Sequence, residues 1–332
     1  MAYEVSRRGA LFGAAGAGAA VALSAASARA AARPRVPPVL LTEQASKRIL
    51  VLDPRRPVWD LAADPEAVLW SCSPLGDPQY ADLDPAASWV YPSEAKVRRL
   101  RGRTYVLTCA SFGFAAVVEH PTGRRYWAGE LGPGDDLLNP HSVELLPDGN
   151  VAVAGSTGAL VRVYAASQGP DSTTYAEAEL KGAHGLHWDA RRRVLWAVGD
   201  DELVAYRVGG SAGRPRLVRT FGVALPVPSP GGKAGGHDLF PVAASADRLW
   251  VATSAAVFQY VVSQGEFVRH GVSRASVKAV GDDPRSGRVI TTVPEDGLEE
   301  TWWTRRVDVH EPSSSYFLVD GGIYKARWWL PR

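Results

Sequence analysis

The chain has 332 residues, 46% of them hydrophobic, and its 37 Lys and Arg against 35 Asp and Glu leave a formal net charge of +2. That balance is too mildly basic to argue for a nucleic-acid partner, so any electrostatic specialisation must be local. The only two cysteines, Cys72 and Cys109, exclude a zinc site built on cysteine spacing; the pair is either bridged in an oxidising compartment or two buried free thiols.

Taken in order, residues 1–30 read as an export signal. Ser6-Arg7-Arg8 precedes an Ala- and Gly-rich apolar run from Ala10 to Ala26, and Ala28-Arg29-Ala30 offers a small-x-small cleavage site. The segment resembles a twin-arginine signal, with Ala10 where that pattern carries Phe, so the general secretory route stays open. The run is short and Gly-rich for a membrane span. The expectation is a secreted or extracytoplasmic monomer with no stable membrane insertion after cleavage. Residues 31–38 form a Pro-rich leader, and residues 39–332 are expected to form a single domain.

The rest of the chain repeats one design. His141-Ser-Val-Glu-Leu-Leu, a Pro147-Asp-Gly-Asn turn, Val151-Ala-Val-Ala and Gly155-Ser-Thr-Gly158 make a polar start, a short strand, a tight turn, an apolar strand and a closing turn. Looser copies begin near Lys96, His184, His237 and Lys278. A period of about 40 to 50 residues with about four strands per unit is the signature of propeller blades. Val39 to Thr42, Arg48 to Leu52 and Ala67 to Trp70 lack an innermost strand, and Ile323 to Trp329 is an innermost strand with no followers. Joining them gives a six-bladed β-propeller, all-β, closed by a mixed N- and C-terminal blade, which removes the sheet edges that invite aggregation. No apolar 3.6-residue period supports a long helix.

Because equivalent strands line the axis, the residues that open them meet at one mouth. That rule gathers His141, His184 and His237 with Lys96, Lys278 and Lys325. Turns between second and third strands return to the same mouth, adding Glu43, Gln44, Ser111, Phe112, Ser156, Thr157, Asp200 and Thr253, and also the Glu299 to Arg306 part of an insertion that starts at Pro294, with Trp302, Trp303, Arg305 and Arg306. For the first of these blades the phase is open between Glu94 and Lys96. Two chemistries follow. The three imidazoles are candidate ligands for a divalent metal such as zinc, manganese or calcium. Alternatively the lysines and arginines hold an anion while a Trp stacks on a sugar face. Removing the proton beside a uronate carboxylate then needs a base, for which His141, His184 and His237 are the candidates, Tyr324 an outside one, and a cation such as Lys278 or Arg305 to hold the developing charge. His187 is expected to face between blades, and Trp188, Trp196, Trp250, Trp328 and Trp329 are expected in the core.

The blade of His141 to Val151 resembles those of bacterial secreted six-bladed propellers. With Ala183-His-Gly-Leu-His-Trp-Asp189, Gly236-His-Asp-Leu-Phe-Pro241, Thr301-Trp-Trp-Thr304 and Tyr324-Lys-Ala-Arg-Trp328, the chain resembles an uncharacterised family of exported propellers, which implies a fold and not an activity. A more distant, fold-level likeness is to propeller lyases acting on oligogalacturonate and peptidyl-hydroxyglycine. The functional expectation is a carbohydrate-active propeller that binds an acidic polysaccharide or oligosaccharide and cleaves it by β-elimination. The alternatives are a non-catalytic glycan- or protein-binding propeller and a metal-dependent hydrolase or lactonase.

Overall fold

The structure, a computed structural model, describes residues 36–132 and 138–331. The segment read as an export signal lies outside them. Six sheets of mainly antiparallel strands stand around one axis, five of them with their first strand innermost and the sixth with the last strand of the chain there. The innermost strands are Pro92–Leu100, Pro140–Leu145, Gly185–Asp189, Gly236–Pro241, Ala279–Asp282 and, from the far end of the chain, Ile323–Trp328. The last of these pairs with Val39–Glu43, followed outward by Arg48–Leu52 and Val68–Cys72. The ring therefore closes in the mixed blade that the sequence requires.

A second link was not legible. Val58–Trp59 leaves the closing blade and pairs in parallel with Ser314–Leu318 at the edge of the neighbouring one. Trp59 is fully buried there and stacks on Tyr316 at 4.9 Å. The strands of each blade are covered by sheets on both faces, so they read as continuous apolar runs and not as strict alternation. Arg48–Leu52 is an example, with Ile49, Leu50, Val51 and Leu52 all buried. The expected core Trp196, Trp250 and Trp328 are buried, whereas Trp329 is only half-buried and Trp188 is half-buried and borders a cavity. Cys72 and Cys109 are separate thiols, and burial pushes both up to about 12.

Two backbone devices set what reaches the mouth. In four blades the ladder slips at the entry of the innermost strand: between Pro92 and Glu94, between Pro140 and Ser142, between Gly236 and Asp238, and opposite Thr42 at Tyr324 and Lys325. Such a bulge puts one extra residue on the inner strand and re-aims its side chain. His141, His237 and Tyr324 are thereby turned to the mouth while the next residue points down the axis. The second device precedes the first by two residues. Tyr91, Asn139, Gly182, Gly235 and Ser276 all have left-handed backbone, with φ between 52° and 60°. At Gly182 the space is closed as well, since an added Cβ would lie 2.0 Å from Asp200 Oδ1. Gly182→Ala is accordingly expected to cost about 1–3 kcal/mol of stability, read as a lower thermal midpoint. An unchanged midpoint would show that this turn is not held in the left-handed region.

Candidate functional site

A cavity of about 430 Å³ opens at one end of the axis. Its floor is the entry ring: His141, His184, His237, Lys278 and Tyr324. The imidazoles lie against one another, His141 to His184 at 4.5 Å between ring centres and His184 to His237 at 4.8 Å. Lys278 Nζ is 3.1 Å from His237 Nε2, the Tyr324 hydroxyl is 3.1 Å from the same nitrogen, and 3.5 Å separates that hydroxyl from His141 Nδ1. One continuous chain of exchangeable protons therefore runs from Lys278 to His141.

His184 stands apart from that chain. Its Nδ1 lies 2.7 Å from the Gly182 carbonyl, which can only accept, so Nδ1 donates and the neutral ring carries its lone pair on Nε2. The left-handed turn at Gly182 thus fixes a tautomer. Burial first, and the Lys325 charge after it, push His184 down to about 4. Burial and the neighbouring His184 hold His141 well below its ordinary value, and the same two causes act on His237. All three are neutral at physiological pH. Lys278 is lowered to about 8, by burial and then by Lys325; Tyr324 is raised above its usual range by burial and then by Asp238. The three histidines and Lys278 are half-buried, walled by protein yet open to water on the cavity side, and Tyr324 is buried between them.

The rim is aromatic and amide. Tyr91 packs edge-on against Phe112 at 5.8 Å and against Trp302 at 5.4 Å. The Tyr91 hydroxyl is held by the Glu300 carboxylate, and Gln44 Oε1 accepts from both Trp302 Nε1 at 3.0 Å and Trp303 Nε1 at 2.5 Å. Asn139, Ser111 and Ser156 complete the wall, and among the described residues no Asp or Glu lines the cavity.

Beneath the floor the channel is filled with charge. Arg327 donates to Asp238 at 2.6 and 2.7 Å and to Glu94 at 3.4 Å. Lys325 Nζ reaches Glu94, Asp238 and the His141 carbonyl, each at 3.3 Å. Lys96 donates to Ser142 at 2.8 Å and the Leu186 carbonyl at 2.7 Å, and Arg98 grips Glu144 at 2.6 and 2.8 Å. Phe240 closes the layer under Arg327, whose guanidinium lies 4.3 Å from its ring centre. Glu94, Glu144 and Asp238 oppose Lys96, Arg98, Lys325 and Arg327. The excess is one positive charge, so the floor favours an anion above it.

This geometry corrects the predicted ring. His141, His184, His237 and Lys278 meet as expected, with Gln44, Ser111, Phe112, Ser156 and Trp302, whereas the expected Glu43, Thr157, Asp200 and Thr253 do not line the cavity. Lys96 and Lys325 do not: both are fully buried and paired with carboxylates. A bulge explains the error at Lys325, where it places Tyr324 at the entry; in the other strand the entry is Ser93, and Lys96 lies three residues further along, inside the channel. Trp303 is buried behind Trp302. Arg305 lies against Phe317 and Arg306 pairs with Asp308 at 2.8 Å, both off the cavity. Tyr91 and Asn139 were missed; a left-handed residue two places before each entry residue is the signal that marks them. His187 turns to the axis, beside Glu144, Arg98 and Lys96.

For a metal, three imidazole lone pairs must converge on one point. Here the rings are stacked, 20° and 34° from parallel, with Lys278 against His237. Among the described residues no group of three or more His, Cys, Asp or Glu has metal-holding geometry.

Fold and site together define a six-bladed β-propeller with a blind, histidine-floored cavity at one end of its axis. The chain belongs to a family of unknown function (DUF6528), which it matches over residues 10–331. No curated protein matches it. Among solved structures, a protein of unknown function from Bacteroides caccae is similar at 13% identity and a TM-score of 0.51, covering 82% of this chain and 89% of that one. A streptogramin B lyase is similar at 12% identity and a TM-score of 0.51, covering 85% of this chain and 80% of that one. Likeness at that identity concerns the fold.

Proposed function

We propose that the cavity is the active site of an eliminative lyase acting on an acidic carbohydrate, with one uronate carboxylate seated at Lys278. The observation that carries this reading is a neutral imidazole with a fixed, free Nε2 on His184, in the same cavity as the Lys278 ammonium and the protonated Tyr324 hydroxyl. His184 Nε2 takes the proton beside the carboxylate, and Lys278 holds the charge that develops on it. The carbon–oxygen bond one position further breaks as the double bond forms. The Tyr324 hydroxyl gives its proton to the departing oxygen. His184 is a weak base in the empty cavity, and a seated carboxylate strengthens it by favouring the imidazolium. The rim supplies a flat face in Trp302 and Tyr91, with Ser111, Ser156 and Asn139 as hydroxyl partners. Among the described residues the lining holds no carboxylate, so no pair for two-carboxylate hydrolysis stands there.

The test is a screen of uronic-acid oligosaccharides for the ultraviolet absorbance of the unsaturated product, with and without chelator. Cleavage that survives chelation is expected. Binding without turnover would make this a non-catalytic glycan propeller, and loss on chelation would point to a metal-dependent enzyme.

Two further outcomes are expected. Trp302→Ala weakens binding about tenfold or more while leaving kcat nearly unchanged, since a stacked ring binds ground and transition states alike; a collapse of kcat alone would reassign Trp302 to the chemistry. Lys278 is an ammonium below its value of about 8, so binding of the acidic ligand is present at neutral pH and is lost as pH rises through about 8. Titration calorimetry across that interval reads it, and affinity flat to pH 10 or so would remove Lys278 from the anion site.

A further inference from the structure

At the opposite end of the channel, under the charged layer, lies another cavity, of about 500 Å³. Its walls are mostly apolar, with Leu146, Pro147, Trp188, Val242 and Leu249 among them. Arg98, Arg99, Arg191 and Arg248 border it. The charges there do not cancel. Arg98 is committed to Glu144, and Asp189 is held by Arg192 at 3.0 Å. Arg248 donates to the uncharged Gln259 amide at 3.0 Å. The exposed Arg99 and Arg191 side chains have no carboxylate partner among the described residues. His187 lines the same cavity, and its buried Nδ1 has no hydrogen-bond partner. A buried polar atom left unpaired calls for a reason, and a ligand that completes it is one. Trp188 also borders an adjoining cavity that carries Arg193 and Arg207, so the positive lining continues outward.

We infer that this end of the channel is a second ligand site, for an organic anion whose flat apolar body packs on Trp188 and whose carboxylate, sulfonate or phosphate is met by Arg99, Arg191 and Arg248. An apolar cavity with a few convergent polar groups selects such amphiphilic ligands, and a guanidinium suits a planar anion better than an ammonium does. The Glu94, Asp238, Lys325 and Arg327 layer separates this site from the histidine mouth, so the two are independent.

Titration calorimetry with naphthalene-2-sulfonate on the full chain tests it. A site is expected that is kept in Lys278→Ala, where the histidine mouth has lost its cation, and weakened at least tenfold in Arg99→Ala/Arg191→Ala, whose exposed positions leave folding intact as checked by circular dichroism. Naphthalene-2-sulfonamide, with the same ring and no charge, is expected to bind at least tenfold more weakly than the sulfonate. Equal binding of the two probes, loss of binding in Lys278→Ala with retention in the arginine variant, or no binding to the wild type would each overturn the inference.

Discussion

Asp238→Ala is expected to lower the free energy of unfolding by about 3–5 kcal/mol, the loss that follows when one partner of a buried ion pair is removed. Asp238 is fully buried and accepts from Arg327 through both oxygens, from Lys325, and from the Val280 amide at 3.0 Å. Without it, Lys325 and Arg327 share Glu94 alone in a layer that already carries excess positive charge. At about 2–4 °C per kcal/mol, the thermal midpoint falls on the order of 10 °C. A fall equivalent to less than ~1 kcal/mol would mean that the layer is hydrated and not the dry network described. The acid limb has a definite sign. Burial alone would raise the Asp238 carboxyl, but Arg327 and then Lys325 outweigh it and hold it below the usual carboxylate range; Glu94 is lowered likewise against its own burial. Stability from this layer is therefore complete above the unfolded carboxylate values near ~4 and is lost as pH falls below them. The Asp238→Ala variant, lacking one of these groups, shows a shallower acid limb in the same titration.

His184→Ala is expected to reduce turnover of the uronate substrate by about 10²–10⁴-fold, the usual contribution of a positioned base, with binding changed no more than about threefold. The separation matters because His184 makes the floor's one fixed-tautomer base, whereas Lys278 and the rim hold the ligand. Tyr324→Phe is the companion variant: it keeps the ring against His141 and His237 and removes only the hydroxyl, so kcat falls while KM is nearly kept. Initial rates from product absorbance measure both. Full activity in His184→Ala would end the elimination proposal, and equal losses in kcat and affinity would place His184 in binding only.

The fold was readable because its information is local and repeated. The turn Pro147-Asp-Gly-Asn and the apolar runs Val151 to Ala154 and Leu249 to Ala252 recur at blade spacing, and Ile323 to Trp328 is an innermost strand with nowhere to go except back to Val39. His141, His184, His237 and Lys278 were readable for the same reason, since each opens an innermost strand. Lys96 and Lys325 misled because they too look like polar entry residues. A period of two tolerates no extra residue, and a bulge adds one. Trp302 and Phe112 could be placed by the turn rule, while Tyr91 holds the repeated left-handed position before the entry residue, which a tyrosine does not announce in the sequence.

By itself, then, the sequence determined the number of blades, the closure of the ring by its two ends and the end of the axis at which imidazoles gather, because strand periodicity and turn chemistry are encoded within a few residues. Only the tertiary structure decided which cations face water and which neutralise Glu94, Glu144 and Asp238. That choice turns on four one-residue slips in register and on side chains that meet across the axis from blades far apart in the chain, where the electrostatic partner and not the local pattern sets the outcome.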